Sequence, residues 1–411
     1  MHQRFPSVAA KSGLSLCVLI AALGTSSASV TLPAVVDAFD ASFQQVQWVV
    51  LAYLVAVTVL VLAAGRLGDL FGRKRLLGTG LALFGAASLA CTLAPSLMAL
   101  VAARAVQGMG AAILMPLAMT LLAEGATAGK TGSAMGLQAS VSAAGTALGP
   151  ALGGALLTLF GWPAVFFINV PLVALAWLLL RATIPADAQP LKWQRPARPG
   201  AASPATQKAS APALLMASMP GFAMNAVASA IVMATLVVGP FYLDAGLQLD
   251  AGVIGLAMSA GPIAVAITGL PAGRAVDRFG ARPCRTAGLA GMAVGCLLMV
   301  LLPPWLGLGA YIFSLVIITS AYALFQGANN TVVMNAAAPL RRALVAAQLN
   351  LSRNVGLIAG TALMGSVYAM GAARLGGPET GLQLSFMLAF ALAGVCLWLA
   401  RPGEHLPVAL R

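Results

Sequence analysis

The 411-residue chain has little charge, little acid and almost no histidine. Only 8% of its residues are charged, ten are acidic and two are histidines. Soluble proteins run nearer one quarter charged, and a globule of this length needs a polar exterior that such a composition does not supply. His2 and His405 both lie in the terminal tails, so a metal cluster or hydrolytic centre has almost nothing to be built from. No metal or other cofactor is expected, and the chain does not read as an enzyme. Five cysteines (Cys17, Cys91, Cys284, Cys296 and Cys396) form no CxxC pair and read as small apolar packers. A GxxxxGK[ST] phosphate loop is missing as well, which argues against ATP-driven pumping.

What the chain has is apolar length. It is 60% hydrophobic, with a mean hydropathy of +0.94. Apolar runs fall near 12–32, 46–65, 76–94, 97–123, 133–158 and 164–182, then 213–241, 251–272, 284–302, 306–334, 343–370 and 381–400. Each is long enough to cross a hydrocarbon layer of about 30 Å as a helix. The runs are continuous rather than alternating, which excludes barrel strands. The expected fold is an all-α polytopic membrane protein of twelve transmembrane helices, with the lipid bilayer as its first partner. The leading run reads as a retained helix rather than a cleaved signal.

A net charge of +13 raises the question of nucleic acid, and the placement of the charges answers it. With the N-terminus on the cytoplasmic side, the tails and connections on that side carry 20 of the 23 basic residues. The opposite side carries Arg374 alone, together with Asp37, Asp40, Asp244, Asp250 and Glu379. That is the positive-inside distribution, so the basic excess records topology and no nucleic-acid partner is expected. Both termini come out cytoplasmic, in a plasma membrane of bacterial inner-membrane type.

One charged stretch occurs twice. Gly65-Arg66-Leu67-Gly68-Asp69-Leu70-Phe71-Gly72-Arg73-Lys74-Arg75 returns, thinned, as Gly273-Arg274-Ala275-Val276-Asp277-Arg278-Phe279-Gly280-Ala281-Arg282, 208 residues later. Gly145, Gly149 and Gly154 return as Gly356, Gly360 and Gly365, 211 residues later. Two offsets this close, near half the chain, argue for duplication. The expected domains are a six-helix bundle over 1–183, a Pro-, Ala- and Arg-rich cytoplasmic linker over 184–212, and a second six-helix bundle over 213–411. Parallel repeats of this kind build transporters that rock about a midplane site.

The chain thus resembles the major facilitator superfamily, in particular its drug/proton antiporter branches. Gly65–Arg75 is similar to the motif between spans two and three. Arg104-Ala105-Val106-Gln107-Gly108-Met109-Gly110-Ala111-Ala112 is similar to the fourth-span motif. Gly145-Thr146-Ala147-Leu148-Gly149-Pro150-Ala151-Leu152-Gly153-Gly154 is similar to the fifth-span antiporter motif. Gln47-Trp48-Val49-Val50 with Tyr53, and Trp162 with Phe166–Pro171, resemble the fourteen-span exporters. Two departures stand out: the two extra spans of those exporters are replaced by the linker, and the first-span acid is replaced by Gly24.

The residues and the resemblance together define candidate sites. Gly65, Asp69, Gly72, Arg73, Glu124, Asp277 and Arg278 are candidates for a gate. In it Asp69 would accept hydrogen bonds from a helix N-terminus, which the resemblance implies to be that of span eleven, and Arg73 would pair with Glu124. A cluster that only orients helices is the alternative. Arg104, with Gln107 on its face, is a costly intramembrane cation. The resemblance implies a role in proton coupling, the proton being the coupling ion; a structural clamp is the alternative. With no deep carboxylate to pair with, Arg104 is expected to bond backbone carbonyls or the first-span hydroxyls of Thr25, Ser26 and Ser29. Gly145, Gly149, Pro150, Gly153 and Gly154 form a small-residue face with a helix-breaking proline, a candidate hinge; plain helix packing is the alternative for the glycines. A polar, nearly uncharged cavity for a small-molecule substrate is expected from Thr25, Ser29, Trp48, Tyr53, Gln138, Asn225, Gln326, Asn329, Arg353 and Asn354. The expected function is proton-coupled export of small amphipathic compounds by a monomer. A specific metabolite carrier and a non-transporting membrane sensor are the alternatives.

Overall fold

The computed structural model describes residues 8–124, 131–183, 211–336 and 342–400. For 8, 62–66, 68–71, 123–124, 131–140, 143, 147, 182–183, 211–218, 336 and 342–344 it describes the backbone alone. The linker expected over 184–212 therefore lies almost wholly outside the described residues. Among those described there is no strand.

The helices of the first half are α1 (Val8–Val30), α2 (Leu32–Phe39), α3 (Phe43–Val46), α4 (Trp48–Phe71) and α5 (Arg73–Thr92), followed by α6 (Leu97–Glu124), α7 (Thr131–Phe160), α8 (Trp162–Phe167) and α9 (Asn169–Thr183). Those of the second are α10 (Ala211–Phe241), α11 (Ala251–Phe279), α12 (Ala281–Leu301), α13 (Pro303–Ala336), α14 (Arg342–Gly371) and α15 (Pro378–Leu399). Eleven described stretches are long and apolar enough to span a bilayer, and α7 contributes a shorter one, Ala144–Phe160. The chain is a multi-pass helical membrane protein. Its outer surface is apolar, with Trp305, Met98, Phe160 and Leu159 each more than 70% exposed. Contiguous apolar exposure on this scale is unstable in water and suits lipid.

The spans match the apolar runs of the sequence, and the elements between them were not legible there. After Val30 the chain makes two short helices before re-entering at Trp48. α2 carries a proline in its first turn, and α3 is fixed by a capping box in which Ser42 and Gln45 bond each other's backbone amides. Single π-turns at Tyr242–Gly246 and Ala372–Gly376 close α10 and α14. These connections carry Asp37, Asp40, Asp244 and Asp250, with Glu379 in the first turn of α15, and define an acidic end of the molecule; the charged turns at Gly72 and Gly280 define a basic end.

The charged turns are tighter than the sequence implies. α4 continues through Arg66 and Asp69 to Phe71, and α5 starts at Arg73, so only Gly72 lies outside a helix. Gly72 has φ 87° and ψ 132°, and Gly280, 208 residues on, has φ 89° and ψ 153°. A positive φ with extended ψ is a glycine conformation. The duplication therefore extends to backbone angles.

Candidate functional site

Among the described residues, Arg104 is the largest fully buried side chain. α6 reaches it into the interior because α6 lies very close to two neighbours. A Cβ on Gly108 would stand 2.5 Å from the Tyr53 carbonyl on α4, and one on Gly110 would stand 2.8 Å from the Phe84 side chain on α5. At that spacing the Arg104 guanidinium donates through Nε to the Val49 carbonyl at 2.9 Å, and through one terminal nitrogen to the Gly24 carbonyl at 3.0 Å and to Gln107. Gln107 in turn donates to Ser88 Oγ at 2.7 Å. The ring of Tyr53 lies 4.3 Å from the guanidinium carbon and that of Phe166 5.8 Å. Carbonyl dipoles and ring faces thus stand where an acid would otherwise be. The second terminal nitrogen of Arg104 has no hydrogen-bond partner.

The first-span hydroxyls do not bond the guanidinium, whose partners are Val49, Gly24 and Gln107. Thr25 bonds the Ala21 carbonyl, Ser26 that of Ala22 and Ser29 that of Ser26, all within α1. Such back-bonding satisfies each hydroxyl locally. Of the two partner types expected for Arg104, the carbonyls are the ones used. Ser88 and Phe166 complete the cluster and were not expected; a serine at helical spacing from Phe84 and Cys91 carries no distinguishing sequence signal.

The duplicated glycines seat four helices. In α7, a Cβ on Gly145 would meet Ala22 at 2.8 Å, and one on Gly149 would overlap Ser26. In α14, Gly356 lies against the carbonyl of Ala226 in the same way, and a Cβ on Gly360 would stand 2.5 Å from that of Ala230. The partners are themselves repeated: Ala22 to Ala226 and Ser26 to Ala230 are both 204 residues. The third glycine of each set crosses between the halves. A Cβ on Gly154 would stand 2.5 Å from the Ala251 carbonyl and 2.8 Å from the Gly255 Cα on α11, while Gly365 receives the amide of Gln47, the N-cap of α4. Close approach of this kind needs residues without side chains. Pro150 lies inside α7 one turn before Gly154, and its own carbonyl faces Gly255.

In the second half the amides clamp helices together. Asn225 donates to the Leu349 carbonyl at 2.9 Å and to Ser352 Oγ at 2.8 Å, joining α10 to α14. Asn329 donates to the Gly221 carbonyl at 3.1 Å, joining α13 to α10. Gln326 donates to the Tyr322 hydroxyl at 3.1 Å, which stands 3.5 Å from Ser229 Oγ. Tyr322 was not expected, although its place four residues before Gln326 is a usable signal. Tyr53, Asn225 and Asn329 are thus buried helix–helix contacts in this conformation, Ser29 is buried with its hydroxyl bonded within α1, Asn354 and Gln326 are half-buried, and Arg353 is exposed. Trp48 is more than half exposed, at the first turn of α4 and the acidic end. The side chains of Gly65, Asp69, Glu124 and Gln138 lie outside the described residues. Asp277 and Arg278 are exposed near the end of α11, and the Arg278 guanidinium lies 5.3 Å from the ring of Phe279.

The acidic end holds a vestibule of about 780 Å³ between the halves. Phe43 of α3 reaches across it, 4.3 Å from Phe241 edge-on and 5.3 Å from Tyr368, centroid to centroid. Every acid in the described helices lies within three residues of a helix end, so the span interiors hold no carboxylate.

The family model of the Major Facilitator Superfamily matches residues 14–361 and 222–408, and the chain belongs to that superfamily. Among curated relatives it is 28% identical over 392 residues to the riboflavin transporter RibZ of Clostridioides difficile, covering 86% of each chain. It is 28% identical over 407 residues to the multidrug efflux pump LfrA of Mycolicibacterium smegmatis, covering 86% of this chain and 79% of the relative. The fold matches a crystal structure of a bacterial homologue of the human lysosomal transporter Spinster, with a TM-score of 0.77 at 15% identity over 97% of each chain.

Proposed function

We propose that the chain is a secondary active transporter that exports small amphipathic compounds by alternating access, driven by a proton gradient. The supporting observation is the pair of glycine seats between the halves, Gly154 on Gly255 and Gly365 on Gln47. Both lie toward the acidic end, where α7 packs along α11 and α14 meets α4 through closely fitted glycine surfaces. Such surfaces separate and re-form as rigid bodies. By the charge distribution the basic end and both termini face the cytoplasm of a bacterial inner membrane, and one chain holds both halves needed, so a monomer suffices.

On this reading Arg104 is the group through which the proton acts. Its charge is set among dipoles, with one nitrogen unbonded, so a proton arriving at a neighbouring group changes the balance of the whole cluster. The charged turns are the gate of the basic end: Gly65, Gly72 and Asp69 with Arg73 and Glu124, repeated in Asp277 and Arg278. Pro150 with its glycines is the hinge face.

A narrower reading, a carrier for one metabolite, is favoured by the resemblance to a riboflavin transporter over most of both chains. Inside-out vesicles with an imposed pH gradient separate the two. Protein-dependent, gradient-dependent uptake of several unrelated aromatic compounds supports the exporter, and uptake of one compound alone supports the carrier. Uptake that ignores the gradient removes proton coupling.

A further inference from the structure

We infer that the substrate is an organic anion, an amphipathic aromatic compound bearing a carboxylate or a group of like charge, and that Arg353 receives that group. This inference rests on the transport reading above and deepens it.

The charge inventory of the span interiors is one-sided. More than three residues from a helix end the described helices hold five cations, Arg66, Arg104, Arg274, Arg285 and Arg353, and no carboxylate; Arg104 and Arg353 lie deepest, seven and eleven residues in. Where the branch it resembles places a first-span acid, this chain has Gly24, whose carbonyl is bound to Arg104. A cation entering such an interior meets repulsion on both sides and no counter-charge. In surroundings of low dielectric that repulsion is far stronger than in water. An anion meets the opposite field.

The two arginines are not equivalent. Arg104 is sealed at 0% exposure behind Tyr53 and Phe166, so it contributes field but not contact. Arg353 is exposed and makes no hydrogen bond or ion pair with a described residue. It lies eleven residues into α14 (Arg342–Gly371), roughly 16 Å along the helix. It falls four residues after Leu349 and three before Gly356, on the stripe of α14 that faces α10, where Leu349 accepts from Asn225 and Gly356 abuts Ala226. An arginine at that depth is strongly disfavoured against lipid, so its exposure is to the space beside α10. A guanidinium fork there, with no hydrogen-bond partner among the described residues, can bind a carboxylate through two hydrogen bonds. The aromatic preference comes from the far end of the path, where Phe43, Phe241 and Tyr368 stand around the vestibule.

The test uses two radiolabelled probes on one ring system, 2-naphthylacetate and 2-naphthylmethyl-trimethylammonium, with the full chain. Flux is measured in inside-out vesicles with a proton gradient, and binding by equilibrium dialysis of the purified protein. The expected result is protein-dependent uptake of the anion at least about tenfold faster than of the cation. Arg353→Gln should raise the KM for the anion about tenfold or more with kcat little changed, and Arg353→Lys should restore part of that loss. Size-exclusion profiles matching the unaltered protein show that each variant folds. Preferred uptake of the cation overturns the inference and leaves transport standing. Binding of the anion without flux, lost in Arg353→Gln, upholds the site and overturns the transport reading instead. An unchanged anion KM in Arg353→Gln, or neither binding nor flux of the anion, overturns the inference.

Discussion

Gly365 and Gln47 meet in the same relation as Gly154 and Gly255. Gly365 lies 211 residues after Gly154 and Gly255 lies 208 after Gln47, so the two contacts are copies of one another in the duplicated chain. In one copy glycine faces glycine and backbones touch; in the other the glutamine amide fills the space that a second glycine leaves open. The buried amide nitrogen of Gln47 has no hydrogen-bond partner. An unsatisfied buried donor costs about 1–3 kcal/mol, which lowers the stability of the state in which the acidic end is closed.

This contact predicts a size-swap result. A Cβ at Gly365 would overlap Gln47, so Gly365→Ala should hold the acidic end open and slow transport about tenfold or more. Adding Gln47→Gly should recover most of the rate. Failure of the double variant to recover would show that Gly365 matters for packing within its own half.

Gln107 sits between Arg104 and Ser88, and its loss strands both. Gln107→Leu should destabilise the protein by about 1–3 kcal/mol, read as a lowered Tm in detergent. Arg104→Met removes the buried cation while keeping bulk, and it leaves Gln107 Oε1 without its donor, so a Tm lowered about as much as in Gln107→Leu is expected. Beyond that shared loss, Arg104→Met alone is expected to lose the response of transport to the pH gradient. A retained gradient response would place coupling elsewhere.

Gly72 and Gly280 are expected to be sensitive to substitution, because a residue with Cβ is strained at φ 87° or 89° whatever space surrounds it. Alanine at either should cost about 1–3 kcal/mol. Gly273, whose Cβ would meet nothing within 4 Å, should accept alanine with a Tm change within the error of measurement. Equal losses at all three positions would show that the turn glycines serve packing rather than conformation.

Asn225 holds α10 to α14 through two hydrogen bonds. Asn225→Ala should lower stability by about 0.5–1.5 kcal/mol per bond lost. Asn225→Asp should do worse, since a carboxylate oxygen would replace the donor facing the Leu349 carbonyl. Chemical denaturation of the three proteins side by side would rank them.

The twelve spans were legible because lipid leaves a simple mark: a helix must be apolar along its whole length. The duplication was legible because charge and glycine are rare enough inside spans to align by eye. Phe43 is different. It is one aromatic residue in a polar loop, and only the capping of α3 by Ser42 and Gln45 aims it across the molecule. Arg104 was visible as an unpaired cation, but its neighbours come from α1, α4, α5 and α8, and sequence spacing says nothing about which helices converge. Tyr53 and Asn225 looked like cavity residues because polar groups inside spans attract that reading; burial made them clamps. Arg353 looked like Arg104, and exposure separates them.

The central claim is that two half-molecules rock against each other, closing one end as the other opens. Spin labels at Gln44 and Ala373 report the width of the acidic end, and labels at Thr79 and Thr286, exposed on α5 and α12, report the basic end. Double electron–electron resonance on both pairs, across a pH series with and without a transported compound, measures the two widths under the same conditions. Changes of opposite sign at the two ends are predicted. Changes of the same sign, or none at either end, would contradict the account.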